Sequence, residues 1–435
     1  MLSPLLAGVP TVLVMTTPRT RRPATWIAAS LVAVSALLAS CSSTDTATGT
    51  STTSSSTTSS ETATTTDTST ETETTETATD TATDASSTDA TTTAETITDT
   101  AAAVEAFLAT LSDEQREAVL YAYDDETKST SWSNFPVTFV QRAGLNLTDL
   151  TEEQQAAALE VLEALLSDEA YATAVGIMEG DEYLLENSSS TETSLGQYYI
   201  AFFGDPSDTA AWSVQFGGHH LGINADLNGT DGAITFAPTH LGVQPAVYTN
   251  ADGVEVQPFD AIYTDAFAFY DSLTAEQQAT LTSGDVSMCA PGDVCDFATG
   301  AGLSGADLTD EQRQLLLELV ANWAGMADAE TTATELAEIE AGLDETVIAW
   351  SGETTYDMTT GNGISFSISG PNVYVAFQAQ NGSAGADVAN VTTSGWGHVH
   401  TIYRDPTDDY AGSVTQAAAT AMGGAGGAGG PGGGA

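Results

Sequence analysis

Basic residues are scarce in this 435-residue sequence, which has 8 lysines and arginines against 60 aspartates and glutamates. Three of the eight bases, Arg19, Arg21 and Arg22, lie within the first 40 residues, where there is no acid. The rest of the chain is therefore strongly anionic and would repel the phosphate backbone of a nucleic acid. The shortage of bases excludes nucleic acid as an expected partner, and the excess of acids favours solubility.

The N-terminal segment resembles a bacterial lipoprotein signal. The three bases precede an apolar run from Trp26 to Leu38, which is shorter than the ~20 residues of a membrane-spanning helix. The following Leu38-Ala39-Ser40-Cys41 resembles a lipobox, which implies that Cys41 becomes the lipidated first residue. We expect residues 1–40 to be a signal peptide and the mature chain to be an extracytoplasmic protein of the cell envelope, lipid-anchored to the membrane. An ordinary signal peptide is the alternative.

Apolar residues are rare on both sides of the central region. Residues 41–100 are almost entirely Thr, Ser, Ala, Asp and Glu, a composition that cannot offset the entropy of ordering. We expect a disordered tether there and a disordered Gly/Ala-rich tail over residues 416–435. The predicted globular domain spans residues 101–415, which is long enough to bury a full core.

Cysteine is also rare, with Cys289 and Cys295 the two beyond Cys41. Five residues separate them, a spacing that matches no common zinc knuckle. An exported protein matures in an oxidising compartment. We therefore expect a small disulfide loop, with a metal-ligating pair as the alternative.

One motif marks four helix starts: Leu, then Ser or Thr, then Gln three residues later. Such a Ser/Thr and Gln form a helix capping box. Two copies follow an Ala-Gly-Leu sequence, at residues 143–145 and 301–303, which indicates either an internal repeat or reuse of one good start signal. The four motifs are Leu111–Gln115, Leu150–Gln154, Leu273–Gln277 and Leu308–Gln312.

Helical and strand patterns alternate along the domain. Helical periodicity dominates residues 101–186 and 261–345, and strand patterns dominate 196–260 and 346–404. This order predicts an α+β fold with a mixed or largely antiparallel sheet, capped helices and a possible pseudo-repeat of two halves.

The five histidines fall in three short motifs. Residues 217–224 contain His219 and His220, residues 238–242 contain His240, and residues 396–401 contain His398 and His400. Because residues two apart on a strand project to the same face, His398 and His400 could offer two imidazoles to one metal. A structural polar network is the alternative to a metal or catalytic site.

The adjacent pair His219 and His220 follows two glycines. On a strand, the two side chains would face opposite ways, so we expect His220 to face the site together with Asn224 and His219 to point inward. A bulge at the glycines would change that alternation. We take His219, His220, His398 and His400 as candidate ligands of a divalent transition metal.

Arg404 follows the second histidine pair closely. Its guanidinium either pairs with Asp405, Asp408 or Asp409, or binds an anionic group at the site. With Asn224, Arg404 is our candidate for a catalytic role. No nucleophile elbow, Walker loop, Rossmann glycine pattern or His-Glu-x-x-His helix is present in the sequence.

The same motifs resemble the DUF3500 family over residues 104–412. The departure is at His240, where the resemblance implies an aromatic residue, so His240 is not expected to be a ligand. The family's function is unknown, and the resemblance therefore implies the extent of the domain and supports the histidine motifs. The matching segments include Leu111–Gln115, Trp132, Arg142–Leu145, Phe203–Ser207, Trp212, Gly218–Asn224, Val373–Phe377, His398–Pro406 and Asp409-Tyr410.

These residues lead to three functional hypotheses. The first is a metal-dependent hydrolase or oxidoreductase, with His220, His398 and His400 as ligands and water at the remaining position. The second is a non-catalytic surface protein that captures a metal or small ligand. The third is a structural envelope protein whose histidines hold the two sheet blocks together.

Overall fold

The computed structural model describes residues 91–283, 286–291, 295, 297, 300–380, 388 and 395–416. The expected signal peptide, Cys41, the tether up to residue 90 and the tail after residue 416 lie outside the described residues. The last part of the expected tether is folded. A helix begins at Thr93, and Ile97 on its inner face is only 1% exposed. Residues 93–100 therefore belong to the domain, because this acidic segment carries a buried face of Thr and Ile.

The described part of the chain contains eight α-helices. All four predicted capping boxes form, and α1 has a fifth between Thr92 and Glu95. The acids in the first turns suit the helix dipole. The helices are α1 (Thr93–Thr110), α2 (Asp113–Val119), α3 (Glu152–Leu165), α4 (Asp168–Asn187), α5 (Asp260–Ser272), α6 (Ala275–Gln278), α7 (Asp310–Ala324) and α8 (Ala329–Ala341).

Within the described ranges, no helix combines the length and the apolar character that crossing a membrane requires.

The predicted α+β fold is confirmed, with a mixed and mostly antiparallel sheet of twelve strands. The sheet order is β1-β3-β4-β5-β7-β14-β13-β12-β11-β10, with β2 on β3 and β6 on β5, while β8 and β9 form a separate pair. The strands are β1 (Leu120–Tyr121), β2 (Leu145–Asn146), β3 (Tyr199–Gly204), β4 (Ala211–Gly217), β5 (Leu221–Asn228), β6 (Ala233–Thr235), β7 (Thr239–Val243), β8 (Tyr248–Thr249), β9 (Glu255–Val256), β10 (Leu303–Ser304), β11 (Val347–Gly352), β12 (Ile364–Ser369), β13 (Tyr374–Ala379) and β14 (Val399–Arg404).

The order of strands is symmetric about the β7–β14 pair. Moving outward from that pair, β5, β4 and β3 on one side correspond to β13, β12 and β11 on the other. Each outer strand pairs with a two-residue strand, β2 or β10, that leads into a capped helix, α3 or α7. This topology supports the internal repeat.

Two glutamines hold corresponding positions in the two halves. Gln154 of α3 donates from its amide to the Thr110 carbonyl and to Gln115 Oε1. Gln312 of α7 donates in the same way to the Ser272 carbonyl and to Gln277 Oε1. In each half, the glutamine of one capping box thus also forms hydrogen bonds with the two helices that precede it in the chain.

The hydrophobic core lies between the helices and the sheet, where α1 packs on α3 and α5 on α7. A second buried cluster includes Trp132, Tyr374 and Tyr410. Cys289 and Cys295 form a disulfide beside it. The central pair β7–β14, the β4–β5 turn and α4 together position the histidines.

Candidate metal centre

Histidines from two distant chain segments meet at the centre of the sheet. One ring nitrogen from each of His219, His220 and His400 lies within 4.8 Å of one from each of the others. His400 lies in β14, while His219 and His220 lie in the turn between β4 and β5. These three residues therefore lie close enough to hold a metal ion.

The expected alternation of His219 and His220 is wrong. Their rings stack with centroids 4.3 Å apart and planes 12° apart, so both side chains leave the backbone on the same side. The physical reason is that β4 ends at Gly217 and β5 begins at Leu221, so the alternation of a strand does not apply between them. Gly218 is required in this turn, because a Cβ there would lie 2.5 Å from the Gln197 carbonyl oxygen.

His398 borders the cluster but is not part of the three-histidine group. Its Nε2 lies 3.2 Å from Nε2 of His400, and its ring centroid lies 5.5 Å from that of His220. His398 and His219 are partly exposed, whereas His220 and His400 are buried. The site therefore has a buried side and a side that reaches solvent.

Three buried ring nitrogens in the cluster have no hydrogen-bond partner within the described ranges: His219 Nδ1, His220 Nε2 and His400 Nδ1. Leaving a buried polar atom without a partner costs about 1–3 kcal/mol. Three such atoms on neighbouring rings are a donor set that fits a metal ion, which accepts nitrogen lone pairs.

The histidines are held in the neutral form that binds metals. Burial, together with neighbouring imidazoles, lowers the pKa of His220 and of His398 to about 3. Burial likewise holds the pKa of His219 and of His400 well below the usual range. A neutral imidazole offers a lone pair without first releasing a proton.

Asp181 belongs to the site, although the sequence analysis did not indicate it. Its Oδ1 lies 2.5 Å from Nδ1 of His220, and its Oδ2 accepts a hydrogen bond from the Tyr198 hydroxyl at 2.7 Å. Burial raises the pKa of Asp181 to about 7, against the lowering effect of the Tyr198 hydrogen bond. One sequence signal could have revealed it: Asp181 is an acid on the buried face of α4, beside Ile177 and Leu184.

His240 and Arg142 hold the turn rather than a metal. His240 places Nδ1 2.7 Å from the Thr401 carbonyl oxygen and Nε2 3.1 Å from that of His219. Arg142, which is buried, donates from Nε and Nη2 to the carbonyl of Gly218. Both ring nitrogens of His240 face carbonyls, which agrees with its exclusion as a ligand.

The two residues that we expected to be catalytic make other contacts. Arg404 donates to Asp409 at 2.6 Å and also to the Cys289 carbonyl. Pairing with an aspartate was the alternative to binding an anionic group at the site. It lies four residues beyond His400 on β14, or about 13 Å along the strand. Asn224 accepts from Gln215 and donates to the Pro238 carbonyl. A catalytic role for either residue stays a prediction that these contacts do not support.

The fold and the site define an α+β domain with a histidine cluster that can hold a metal ion. A family model described as "Protein of unknown function (DUF3500)" matches residues 93–412, and the chain belongs to this family. The family resemblance of the sequence motifs is thereby confirmed, and the match begins at the first residue of α1. No curated protein and no solved structure matches the chain significantly.

Proposed function

We propose that the domain binds one divalent transition-metal ion through His219, His220 and His400. The observation that carries this proposal is the set of three ring nitrogens within 4.8 Å of one another. Imidazole nitrogens suit zinc, copper, iron and nickel. Two nitrogens in a tetrahedral zinc site are about 3.4 Å apart, since each bond is about 2.1 Å. The rings would therefore have to move towards one another by up to about 1.4 Å to complete the coordination.

The arrangement best supports a metal-dependent hydrolase. Three protein ligands are typical of catalytic zinc sites, which keep a further position for water, whereas structural zinc sites are closed by four ligands. The metal lowers the pKa of such a water and makes it a nucleophile at neutral pH. His219 lies at the partly exposed side of the cluster, where water and a substrate could reach the ion.

A specific contact favours non-catalytic metal capture as the second candidate. His398 Nε2 lies 3.2 Å from His400 Nε2, so a modest movement could make His398 a fourth ligand. Four nitrogens would close the site to water. X-ray absorption on the metal-loaded protein separates the two candidates, because the hydrolase requires three histidines and an oxygen, whereas capture requires four histidines.

Metal content of the purified protein tests the binding proposal. We expect one ion of Zn²⁺ or Co²⁺ per chain by elemental analysis, and its loss when His219, His220 or His400 is changed to alanine. His240→Phe should weaken binding less than these three changes, because His240 holds the turn through two carbonyls but is not one of the proposed ligands. Wild-type protein without stoichiometric metal after loading would contradict the proposal.

We further propose that the domain is lipid-anchored outside the cytoplasm through Cys41. The lipobox-like sequence before Cys41 and the Thr/Ser-rich segment after it support this location. Metabolic labelling with palmitate should mark the wild-type protein, and Cys41→Ala should abolish the label. Equal labelling of the two proteins would contradict the anchor.

A further inference from the structure

We infer that Asp181, oriented by Tyr198, is the positioning residue that makes Nε2 of His220 the metal-binding atom. The inference rests on the proposed function, in which His220 is one of three ligands. It adds two residues that support the ligands from outside: Asp181 of α4 and Tyr198, which directly precedes β3.

The contacts between these residues are short and shielded from water. Oδ1 of Asp181 lies 2.5 Å from Nδ1 of His220, and Oδ2 lies 2.7 Å from the Tyr198 hydroxyl. The exposed fractions are 0% for His220, 1% for Asp181 and 3% for Tyr198. Without competing water, each hydrogen bond strongly favours one orientation of its partners.

The chemistry of a neutral imidazole then decides which nitrogen binds the metal. Such a ring carries one N–H and one lone pair. An acceptor oxygen of Asp181 beside Nδ1 draws the hydrogen to that nitrogen, which leaves the lone pair on Nε2. Nε2 of His220 is buried and has no hydrogen-bond partner in the part of the chain that the structure describes. A metal-binding histidine commonly donates its other N–H to a carboxylate in this way.

Tyr198 fixes which oxygen of Asp181 faces the histidine. Its hydroxyl occupies Oδ2, so Oδ1 remains for His220. The Tyr198 ring is itself held by stacking on Phe216, with centroids 6.0 Å apart and planes 10° apart. The phenol therefore restrains the carboxylate, and the carboxylate restrains the imidazole.

His220 differs from the other two proposed ligands in the residue that lies beside its ring. His400 has a histidine, His398, as its hydrogen-bonding neighbour. Nδ1 of His219 has no partner among the described residues. Among the described residues, an acid thus orients one of the three rings, and we expect that ring to stay in place while the other two adjust.

Nuclear magnetic resonance of ¹⁵N-labelled, metal-free protein tests the inference without any metal. Long-range ¹H–¹⁵N spectra distinguish a protonated from an unprotonated ring nitrogen. We expect His220 to carry its hydrogen on Nδ1 in the wild type, and to lose this preference in Asp181→Ala. A wild-type His220 protonated on Nε2 would overturn the inference. The result does not depend on whether the protein binds metal.

Metal affinity provides the second readout. We expect Asp181→Ala to bind Co²⁺ about 10–100-fold more weakly than the wild type. Asp181→Asn keeps an acceptor oxygen and should recover part of the loss, while Tyr198→Phe should lose less than Asp181→Ala. Wild-type affinity in a folded Asp181→Ala protein would overturn the inference, whereas a wild type that binds no metal would contradict the proposed function.

Tyr248→Phe is the matched control for Tyr198→Phe. The Tyr248 hydroxyl also binds α4, but through the carbonyl of Gly176 and the carboxylate of Glu179. Removing either hydroxyl should cost similar stability, about 1 kcal/mol by urea unfolding. Only Tyr198→Phe should weaken Co²⁺ binding and change its visible absorption spectrum. Equal effects of the two variants on the spectrum would overturn the role of Tyr198.

Discussion

Gly242 of β7 is paired with His400 of β14, at the point where a side chain would enter the histidine cluster. A Cβ at Gly242 would lie 3.2 Å from Cδ2 of His400 and 3.2 Å from Cδ2 of His220. Favourable carbon–carbon contacts lie at about 3.5–4.0 Å. The missing side chain therefore leaves the space in which the two rings approach each other.

Gly242→Ala should weaken metal binding more than it weakens the fold. The added methyl group has to push one or both imidazoles away by a few tenths of an ångström, and metal sites depend on such small distances. We expect a loss of roughly tenfold in Co²⁺ affinity by calorimetry. Gly222→Ala is the control, because a Cβ there would lie at least 3.4 Å from its nearest neighbours, His240 and Trp132. Equal losses in the two variants would refute this account.

The start of the domain can be tested by truncation. Chains that begin at residue 91 and at residue 101 differ by the first turns of α1, where Ile97 is buried and Thr96 donates to Asp328 at 2.9 Å. Burying an isoleucine contributes about 1.5–3 kcal/mol. We expect the shorter chain to unfold at least about 3 kcal/mol more easily in urea. If the two chains were equally stable, residues 93–100 would belong to the tether and not to the folded domain.

Much of the fold could be predicted because its signals are local. A capping box needs only two residues three positions apart, and all four predicted boxes form. Strand patterns were predicted over residues 196–260, but the bounds of β7 were not, because Thr239–Val243 has no clear alternation of apolar and polar residues. Its pairing with β5 and with β14 defines it as a strand, and β14 comes from a distant part of the chain.

The candidate site also has some features that could be predicted from the sequence and others that could not. The histidine motifs could be read from the sequence, since their residue type and clustering are local features. The contact between Asp181 and His220 joins residues 39 positions apart and could not be derived from spacing. The orientation of His219 was wrong because it depended on where β4 ends, which the two glycines determine.

Glu335 of α8 should make the stability depend on pH. Burial, together with the charge of Glu338, raises its pKa from 4.5 to about 8. Because this pKa is higher in the folded than in the unfolded state, the unfolded chain releases the proton first as the pH rises. The contribution of Glu335 to stability is therefore complete below about pH 4.5 and lost as the pH rises through about 8.

The variant Glu335→Gln should remove this part of the pH dependence. We expect it to be about 1–3 kcal/mol more stable than the wild type at pH 8.5, and the difference to shrink towards pH 4.5. Urea unfolding at both pH values measures the difference. Glu340→Gln, on the exposed side of the same helix, is the control and should change little. A constant difference between Glu335→Gln and wild type at the two pH values would show that Glu335 is not the responsible group.

Lys128 and Asp226 form an ion pair inside the domain. Nζ lies 3.1 Å from Oδ1, and both side chains are 1% exposed. Nζ also donates to the hydroxyls of Ser213 at 2.8 Å and Ser413 at 2.7 Å. Burial lowers the pKa of Lys128 and raises that of Asp226, so each charge depends on its partner.

Lys128→Met should therefore be strongly destabilising, while the double variant Lys128→Met/Asp226→Leu should regain most of the loss. Removing one partner leaves a buried charge without compensation, at a cost of about 3–5 kcal/mol, whereas replacing both by apolar residues is often nearly neutral. Chemical unfolding of the wild type, both single variants and the double variant gives the coupling energy. Metal stoichiometry should be unchanged in every variant that folds, because neither residue contacts the histidines. A loss below about 1 kcal/mol in Lys128→Met would mean that solvent reaches the pair.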